Sequence, residues 1–150
     1  MNDFERNLNE LLADTFILIL KYEETSLKSI SNTSVTVSEA HMIEAIAKNG
    51  GNSTVSDIAS SLNISMPTAT VAVKKLENKG FVSKIPCTQD ARRLIITLTN
   101  LGRKINKAHS IFHRRMVRNI SRDFTEESEK EILLSSVKKL SEFFKEKIEA

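Results

Sequence analysis

The strongest constraint on the fold of this chain is the segment STVSDIASSLNISMPTATVAVKKLENKG, which spans residues 53–80. Its apolar residues fall into two groups, each spaced like one face of a short helix. These are Val55, Ile58, Ala59 and Leu62, followed by Ala69, Ala72, Val73 and Leu76. Asn63 can form a turn, and Ser65 can cap a second helix from about Pro67 to Asn78. Two short helices that meet at a tight turn are typical of a helix-turn-helix, whose second helix enters the DNA major groove.

The outer side of this second helix suits a groove. At 100° per residue, the apolar group faces one way and a polar, basic side faces the other. Hydroxyl groups and lysines there can reach phosphates and base edges, and the Val71 methyl groups can contact a thymine methyl. The residues predicted to serve the major groove are Thr68, Thr70, Val71, Lys74 and Lys75, with Ser65 at a phosphate. The alternative is an ordinary amphipathic helix with a solvated face.

A hairpin is predicted directly after this helix. Gly80 ends the helix, and FVSKIP and LIITLT have strand character on either side of CTQDARR. A hairpin behind a recognition helix is a wing, and Arg92 and Arg93 at its tip can enter the minor groove. Asp90 is predicted to fix the orientation of an arginine through a carboxylate–guanidinium pair. The alternative is a solvated turn.

Long helices are predicted on both sides of this winged part. The N-terminal helix is apolar on nearly every side around residues 16–20, so we expect a second copy of the chain to cover it. Two further helices follow Thr99 and Thr125. The predicted fold is mostly α with a small β wing, in a single domain. Within it, residues 34–98 form the winged DNA-binding part, and residues 1–33 and 99–150 form the helical dimerisation part.

Charge is concentrated in one stretch of the chain. The net charge is only +3, but residues 65–123 carry 13 Lys or Arg against 3 Asp or Glu. A polyanion-binding surface requires such a concentration. The rival from another class is a helical protein-interaction module whose basic face binds an acidic protein and never DNA.

Several functional classes have little support. The longest apolar run, residues 16–20, is too short to span a membrane, and with no visible secretory signal we expect a cytoplasmic protein. The lone Cys87 excludes an intramolecular disulfide and a zinc ribbon. We see no phosphate-cradling glycine loop, nucleophile elbow or cysteine beside a general base, so we expect no enzyme.

A family resemblance rests on the wing and its surroundings. KKLENKGFV, residues 74–82, precedes Asp90-x-Arg92, five residues, Leu98-Thr99, two residues and Gly102. Over essentially the whole chain, this pattern resembles the MarR family of bacterial winged helix-turn-helix regulators. The resemblance implies a homodimer on a pseudo-palindromic operator in double-stranded DNA, released or recruited by an effector held between the dimerisation and DNA-binding layers. Family members often carry a polar or basic residue where Val71 stands, so their base preference does not transfer.

Three other segments resemble one branch of that family. LKYEETSLK, SEAHMIEAI and HSIFHRRMV are similar to the branch that represses fatty-acid synthesis genes in Gram-positive bacteria. The similarity implies an acylated carrier protein as the effector, an acidic partner that the central basic helix could meet. A small-molecule effector is the alternative.

The histidines predict an alternative mode of regulation. His109 and His113 are four residues apart on one predicted helix, and His41 and Glu24 lie on helices that could converge with it. This set matches the ligand pattern of zinc-responsive family members. A zinc-dependent hydrolase built on His109 and His113 is a further alternative, which requires an open coordination position and a general base. The alternative is that the histidines bind backbone groups or glutamates such as Glu23 and Glu44. We expect no required cofactor, with zinc as the alternative. Cys87 could act as a redox trigger, but an incidental cysteine is the simpler interpretation.

Overall fold

A computed structural model of the chain describes residues 1–30, 34–90 and 92–149. These residues form six helices and a small sheet, which confirms the predicted fold class. The elements are α1 Asp3–Lys28, α2 Val37–Lys48, β1 Asn52–Ser53, α3 Val55–Leu62, α4 Met66–Asn78, β2 Val82–Pro86, β3 Leu94–Leu98, α5 Asn100–Ser121 and α6 Glu127–Glu149.

The chain divides into two compact units, Met1–Phe112 and His113–Ala150, and α5 passes from the first into the second. The predicted division at residue 34 between helical and winged parts borders residues 31–33, which lie outside the described residues. That division stays a prediction.

Local sequence signals set the helix boundaries of the first unit. Thr36 opens α2 with a capping box, in which the Thr36 side chain accepts the Glu39 N–H and the Glu39 carboxylate accepts the Thr36 N–H. Thr54 and Asp57 make the same arrangement at α3. Asn63 then adopts the left-handed conformation, with φ of 52°, and turns the chain from α3 into α4. The predicted helix-turn-helix is therefore present.

The sheet contains the two predicted strands and a third that was not predicted. β2 and β3 pair antiparallel with Ile85 opposite Ile95. β1 pairs antiparallel with the other edge of β3, with Asn52 opposite Thr97, so the strand order is β1-β3-β2. A strand of two residues has no room to show the alternation by which strands are recognised in a sequence.

The core of the first unit lies between α2, the helix-turn-helix, the sheet and α5. Its fully buried side chains include Ile43, Ile46, Ile58, Val73, Leu76, Phe81, Ile96 and Ile105. Gly102 brings α5 onto this core, because a Cβ atom at that position would overlap the Phe81 carbonyl oxygen. The backbone approach therefore explains the glycine of the family motif.

The second unit contains the end of α5 and all of α6. α6 buries none of its residues, and its exposed apolar side chains include Ile132, Leu134, Val137, Phe143, Phe144 and Ile148. Within the described part of the chain, no helix combines the length and apolarity that crossing a lipid bilayer requires.

Candidate nucleic-acid interface and histidine cluster

The two sides of α4 are separated as the sequence predicts. Ala69, Val73 and Leu76 are fully buried in the core. The predicted groove-facing residues all lie on the exposed side, namely Thr68, Thr70, Val71, Lys74 and Lys75. Because the buried side anchors the helix, the opposite side presents hydroxyl groups, one apolar side chain and two ammonium groups to a partner.

Hydroxyl groups order the first turn of α4. The Ser65 Oγ accepts a hydrogen bond from the Thr68 N–H at 3.3 Å and lies 2.8 Å from the Thr68 Oγ1. Thr70 donates its hydroxyl hydrogen to the Met66 carbonyl oxygen at 2.9 Å. The remaining lone pairs of these hydroxyl oxygens can still accept hydrogen bonds. Ser65 is thus the N-cap of α4, and the predicted phosphate contact would be a second role of the same hydroxyl group.

The loop between β2 and β3 forms the predicted wing, with Arg92 and Arg93 exposed. The Arg93 N–H donates to the Asp90 carbonyl oxygen at 2.9 Å, and the Cys87 N–H donates to the Arg93 carbonyl oxygen at 2.8 Å. The Asp90 carboxylate accepts the backbone N–H of Arg92 at 3.0 Å. The Asp90 carboxylate thus orders the backbone of the wing loop, and its predicted pairing with an arginine guanidinium stays a prediction.

Cys87 lies half-buried at the start of the wing loop. Backbone N–H groups of Gln89 and Asp90 favour the thiolate and lower the pKa of the Cys87 thiol, and the charge of Arg93 adds to this effect. The backbone N–H groups of the loop thus lower the pKa of the Cys87 thiol more than the charge of Arg93 does.

A separate cluster joins α1, α2 and α5 inside the first unit. The Glu23 carboxylate is buried, and its Oε1 lies 2.9 Å from the His41 Nε2 and also binds the His109 Nε2. On the other side of the His109 ring, Nδ1 lies 3.8 Å from the Glu44 Oε2. Since an ionised carboxylate only accepts hydrogen bonds, each Nε2 atom that binds Glu23 carries a hydrogen.

The histidines determine the ionisation of Glu23. Burial alone would raise the pKa of this carboxyl group. The hydrogen bond with His109, the charges of both imidazoles and the hydrogen bond with His41 outweigh burial, so the pKa of Glu23 is lowered. The carboxylate is therefore held as an anion, and it links three helices through two hydrogen bonds.

Glu23 occupies the position that the sequence assigned to Glu24. The Glu24 side chain instead pairs with Lys28 on the same helix at 2.9 Å. The four-residue spacing of Glu23 and the apolar Leu27 places both on one side of α1, but the positions of His41 and His109 on other helices decide between the two acids. His41 and His109 of the predicted set are brought together, while His113 follows one helical turn later on α5, in the second unit.

These donors can be compared with the needs of zinc. The ligand atoms of Glu23, His41 and His109 lie within 4.8 Å of one another and are of types that zinc binds. Ligand atoms on one tetrahedral zinc stand about 3.3 Å apart, which is wider than the 2.9 Å between Glu23 and His41. Zinc would replace the Nε2 hydrogens, and Glu44 could then accept a hydrogen from the His109 Nδ1. The residues present therefore fit the metal after a small separation of the hydrogen-bonded groups.

Known proteins resemble the chain in both sequence and fold. A sequence profile of the MarR family matches residues 35–94. The structure of FabT from Streptococcus pneumoniae in complex with DNA is similar, with a TM-score of 0.87 and 30% identity over 96% of this chain and 99% of FabT. The structure of AdcR, the adhesin competence repressor of Streptococcus pyogenes, gives a TM-score of 0.70 with 24% identity, covering 95% of this chain and 98% of AdcR.

A further relative is YhjH, an uncharacterized HTH-type transcriptional regulator of Bacillus subtilis (strain 168). It is 24% identical over 143 residues, which cover 87% of this chain and 81% of YhjH. The profile match falls on the helix-turn-helix and the start of the wing, and the likeness to FabT extends over nearly the whole of both chains. The chain therefore belongs to the MarR family.

Proposed function

We propose that the protein is a dimeric transcriptional regulator that binds a specific sequence in double-stranded DNA. In this proposal, residues 34–98 read the DNA and the remaining helices join two copies. The observation that carries it is the pairing, on one compact unit, of an exposed polar and basic side of α4 with exposed arginines at the wing tip. Family membership and the DNA complex of FabT support the same function. A regulator of bacterial DNA acts in the cytoplasm.

The distribution of roles follows from the chemistry of each side chain. Thr68, Thr70, Val71, Lys74 and Lys75 would serve the major groove, and Ser65 a phosphate. Arg92 and Arg93 would enter the minor groove, where a narrow groove concentrates negative potential. The Asp90 carboxylate would hold the wing loop in the conformation that presents them.

Each unit contributes an unpartnered apolar surface to the proposed dimer. α1 exposes Phe16, Ile17 and Leu18 in the first unit. α6 exposes Leu134 and Phe144 in the second. Single apolar side chains are common on protein surfaces, but long helices with many of them mark an interface. A second copy would cover these surfaces and present two α4 helices to successive major grooves.

Arg92→Ala tests the wing. A preferred duplex is first selected from a random library with the wild-type protein, and affinities are then measured by fluorescence titration. We expect Arg92→Ala to weaken binding to this duplex by about 1–3 kcal/mol, because minor-groove contacts are lost while the fold is kept. Arg6→Ala, which removes an exposed arginine from α1, is the matched control. Unchanged affinity of Arg92→Ala would remove the wing from the interface.

The same selection separates DNA reading from the rival function. A DNA-reading protein enriches one sequence, and its affinity falls steeply with salt because phosphate contacts release counterions. A protein-interaction module with a basic face would retard all duplexes weakly and equally. Failure to enrich any sequence would therefore favour the rival.

For the regulated genes, we propose those of fatty-acid synthesis, with an acylated carrier protein or a small-molecule effector as the signal. The support is the sequence resemblance of residues 20–28, 38–46 and 109–117 to that branch, together with the 30% identity to FabT. Binding of the wild-type protein to DNA upstream of fatty-acid synthesis genes, with an affinity changed by acylated carrier protein, is the expected result. Selective binding upstream of zinc-uptake genes instead would contradict this assignment.

A zinc-responsive regulator is the second candidate, and the donors of Glu23, His41 and His109 favour it. His113, one helical turn beyond His109, would complete a tetrahedral set. Zinc would supply a charge that fixes α1, α2 and α5 relative to one another.

Metal analysis tests the zinc candidate. The purified protein should contain one zinc per chain, lose it in His109→Ala and His113→Ala, and change its DNA affinity when a chelator is added. Lys48→Ala, which removes a salt-bridge partner of Glu44 on α2, is the matched control. A metal-free protein whose DNA affinity responds neither to Zn²⁺ nor to a chelator would overturn this candidate and leave the DNA-binding proposal intact.

A further inference from the structure

Lys79, at the C-terminal end of α4, connects this helix to the start of α2. It is not among the residues proposed to contact DNA. The Lys79 Nζ lies 2.8 Å from the Glu39 Oε1 and 2.9 Å from the Glu39 Oε2. It also donates to the Ser34 carbonyl oxygen at 2.8 Å. An ammonium group has three hydrogens to donate, and this group lies among three oxygens of one short segment.

Glu39 has a second role at the same place. Its Oε2 accepts the backbone N–H of Thr36 at 2.9 Å and so closes the capping box that opens α2. The Glu39 side chain is only 14% exposed and the Lys79 side chain 34%. One sheltered carboxylate thus connects the first turn of α2 to the end of α4, across 40 positions of the sequence. Such a pair is worth more than a mobile surface pair, because solvent screens it less.

We propose that Lys79 and Glu39 are positioning residues for DNA reading, an inference that rests on the proposed function. They act through α4 and touch no DNA. Ser65 caps the first turn of α4, and buried Ala69, Val73 and Leu76 anchor its inner side. The Lys79–Glu39 pair adds a polar connection from the C-terminal end of α4 to α2. Hydrogen bonds to base edges tolerate only a few tenths of an ångström, so even a small shift of α4 on its apolar contacts would weaken contacts along its exposed side.

Lys79 differs in orientation from the lysines of the reading surface. Lys74 and Lys75 are exposed on α4, whereas the Lys79 ammonium is directed at α2. A lysine that contacts a phosphate contributes about 0.9 to the slope of log affinity against log salt concentration. A positioning lysine contributes affinity and sequence preference without that slope. The two roles can therefore be separated by measurement.

The experiment compares Lys79→Gln, Glu39→Gln and their combination with the wild-type protein. Glu39→Gln keeps an oxygen that can accept the Thr36 N–H, so it removes the charge pair with little effect on the cap. Affinities for the selected duplex and for a scrambled duplex are measured over a range of salt concentrations. Lys74→Gln serves as the matched loss of one lysine charge, and thermal unfolding reports the fold.

We expect each single substitution to lower affinity for the selected duplex by about tenfold and to reduce the preference over the scrambled duplex, with the salt slope unchanged. The double variant should bind no more weakly than the weaker single variant, because both substitutions break one connection. Lys79→Arg should bind close to the wild-type affinity, since a guanidinium can also bind the Glu39 carboxylate.

Three results would overturn the inference while leaving the proposed function in place. The first is unchanged DNA binding by both single variants. The second is a slope reduced by about 0.9 in Lys79→Gln, with equal losses on both duplexes, which would make Lys79 a phosphate contact. The third is a loss of binding that only accompanies unfolding, in Glu39→Gln as well as Lys79→Gln. If the wild-type protein itself prefers no sequence, the proposed function fails and this inference fails with it.

Discussion

α1 and α4 both carry apolar side chains at helical spacing, but the structure buries only those of α4. In α4, Val73 and Leu76 are 0% exposed, because α2, α3 and the sheet of the same chain cover them. In α1, Phe16 is 65% and Ile17 61% exposed. The apolar side of α4 is thus buried within one chain, whereas the apolar side chains of α1 stay exposed in a single chain.

This difference separates two functions that the family combines. The side of α4 that faces solvent is polar and basic, so its exposure costs little and leaves it available to DNA. The exposed side of α1 is apolar, and water opposes its exposure by about 25 cal/mol for each Å². The winged part can therefore be built by one chain alone, while the spacing of two winged parts depends on a second chain.

Phe16→Glu tests whether the exposed apolar side of α1 is the dimer interface, and we expect it to have the largest effect of the substitutions. A carboxylate at position 16 is exposed to water in a single chain. In a dimer it would be buried without a cationic side chain to pair with. We expect a molecular mass close to that of one chain in light scattering. Affinity for the selected duplex should fall by about a hundredfold or more, because two linked reading units become one.

Asn7→Glu is the control for this change. It adds the same charge on the opposite side of α1 and should keep both the dimer and DNA binding. If Phe16→Glu stays dimeric and binds as tightly as the wild type, the exposed apolar side of α1 is not the interface.

Leu76→Ala tests whether one side of α4 is buried in the core while the opposite side is exposed. The leucine is fully buried, so its truncation should lower the free energy of unfolding by about 2–5 kcal/mol in a urea titration. Val71→Ala, on the exposed side of the same helix, should change it by less than about 0.5 kcal/mol. Equal effects at the two positions would show that the sides of α4 are not distinguished as described.

The parts of the fold that depend on neighbouring residues were predictable from the sequence. The capping boxes at Thr36 and Thr54, the turn at Asn63 and the buried side of α4 each involve residues within one or two helical turns. The two five-residue strands could be recognised by their β-branched residues between Gly80 and the wing loop. β1 did not, because two residues carry no period and only pairing with β3 makes them a strand.

The parts that depend on distant residues could not be predicted in the same way. Glu23 and Glu24 are adjacent acids on α1, and only the positions of His41 on α2 and His109 on α5 select Glu23. Nothing in the sequence indicates that Lys79 pairs with Glu39, because the two residues lie 40 positions apart. The roles of Ser65, the α4 side chains and the wing arginines in DNA binding remain predictions.

The smallest expected effect lies in α3, which packs against α4 and completes the reading unit within one chain. The Asp57 carboxylate accepts hydrogen bonds from the Thr54 N–H and hydroxyl, which lower its pKa, and the charge of Arg93 contributes further. A lowered pKa in the folded state means that the ionised form stabilises the protein above the unfolded pKa of about 3.9, and that this contribution is lost as pH falls through the lowered value.

Asp57→Asn cannot ionise, so its deficit in melting temperature relative to the wild type should be constant near neutral pH, shrink below about pH 4 and disappear when the wild-type carboxyl is protonated. The deficit should be small because Asp57 is exposed and solvent screens its charge. Thr54→Ala, which removes one of the two donors, should make the stability less dependent on pH in the same range. A deficit that stays flat, or that grows as the solution becomes more acidic, would mean that this capping box does not stabilise the reading unit through the charge of Asp57.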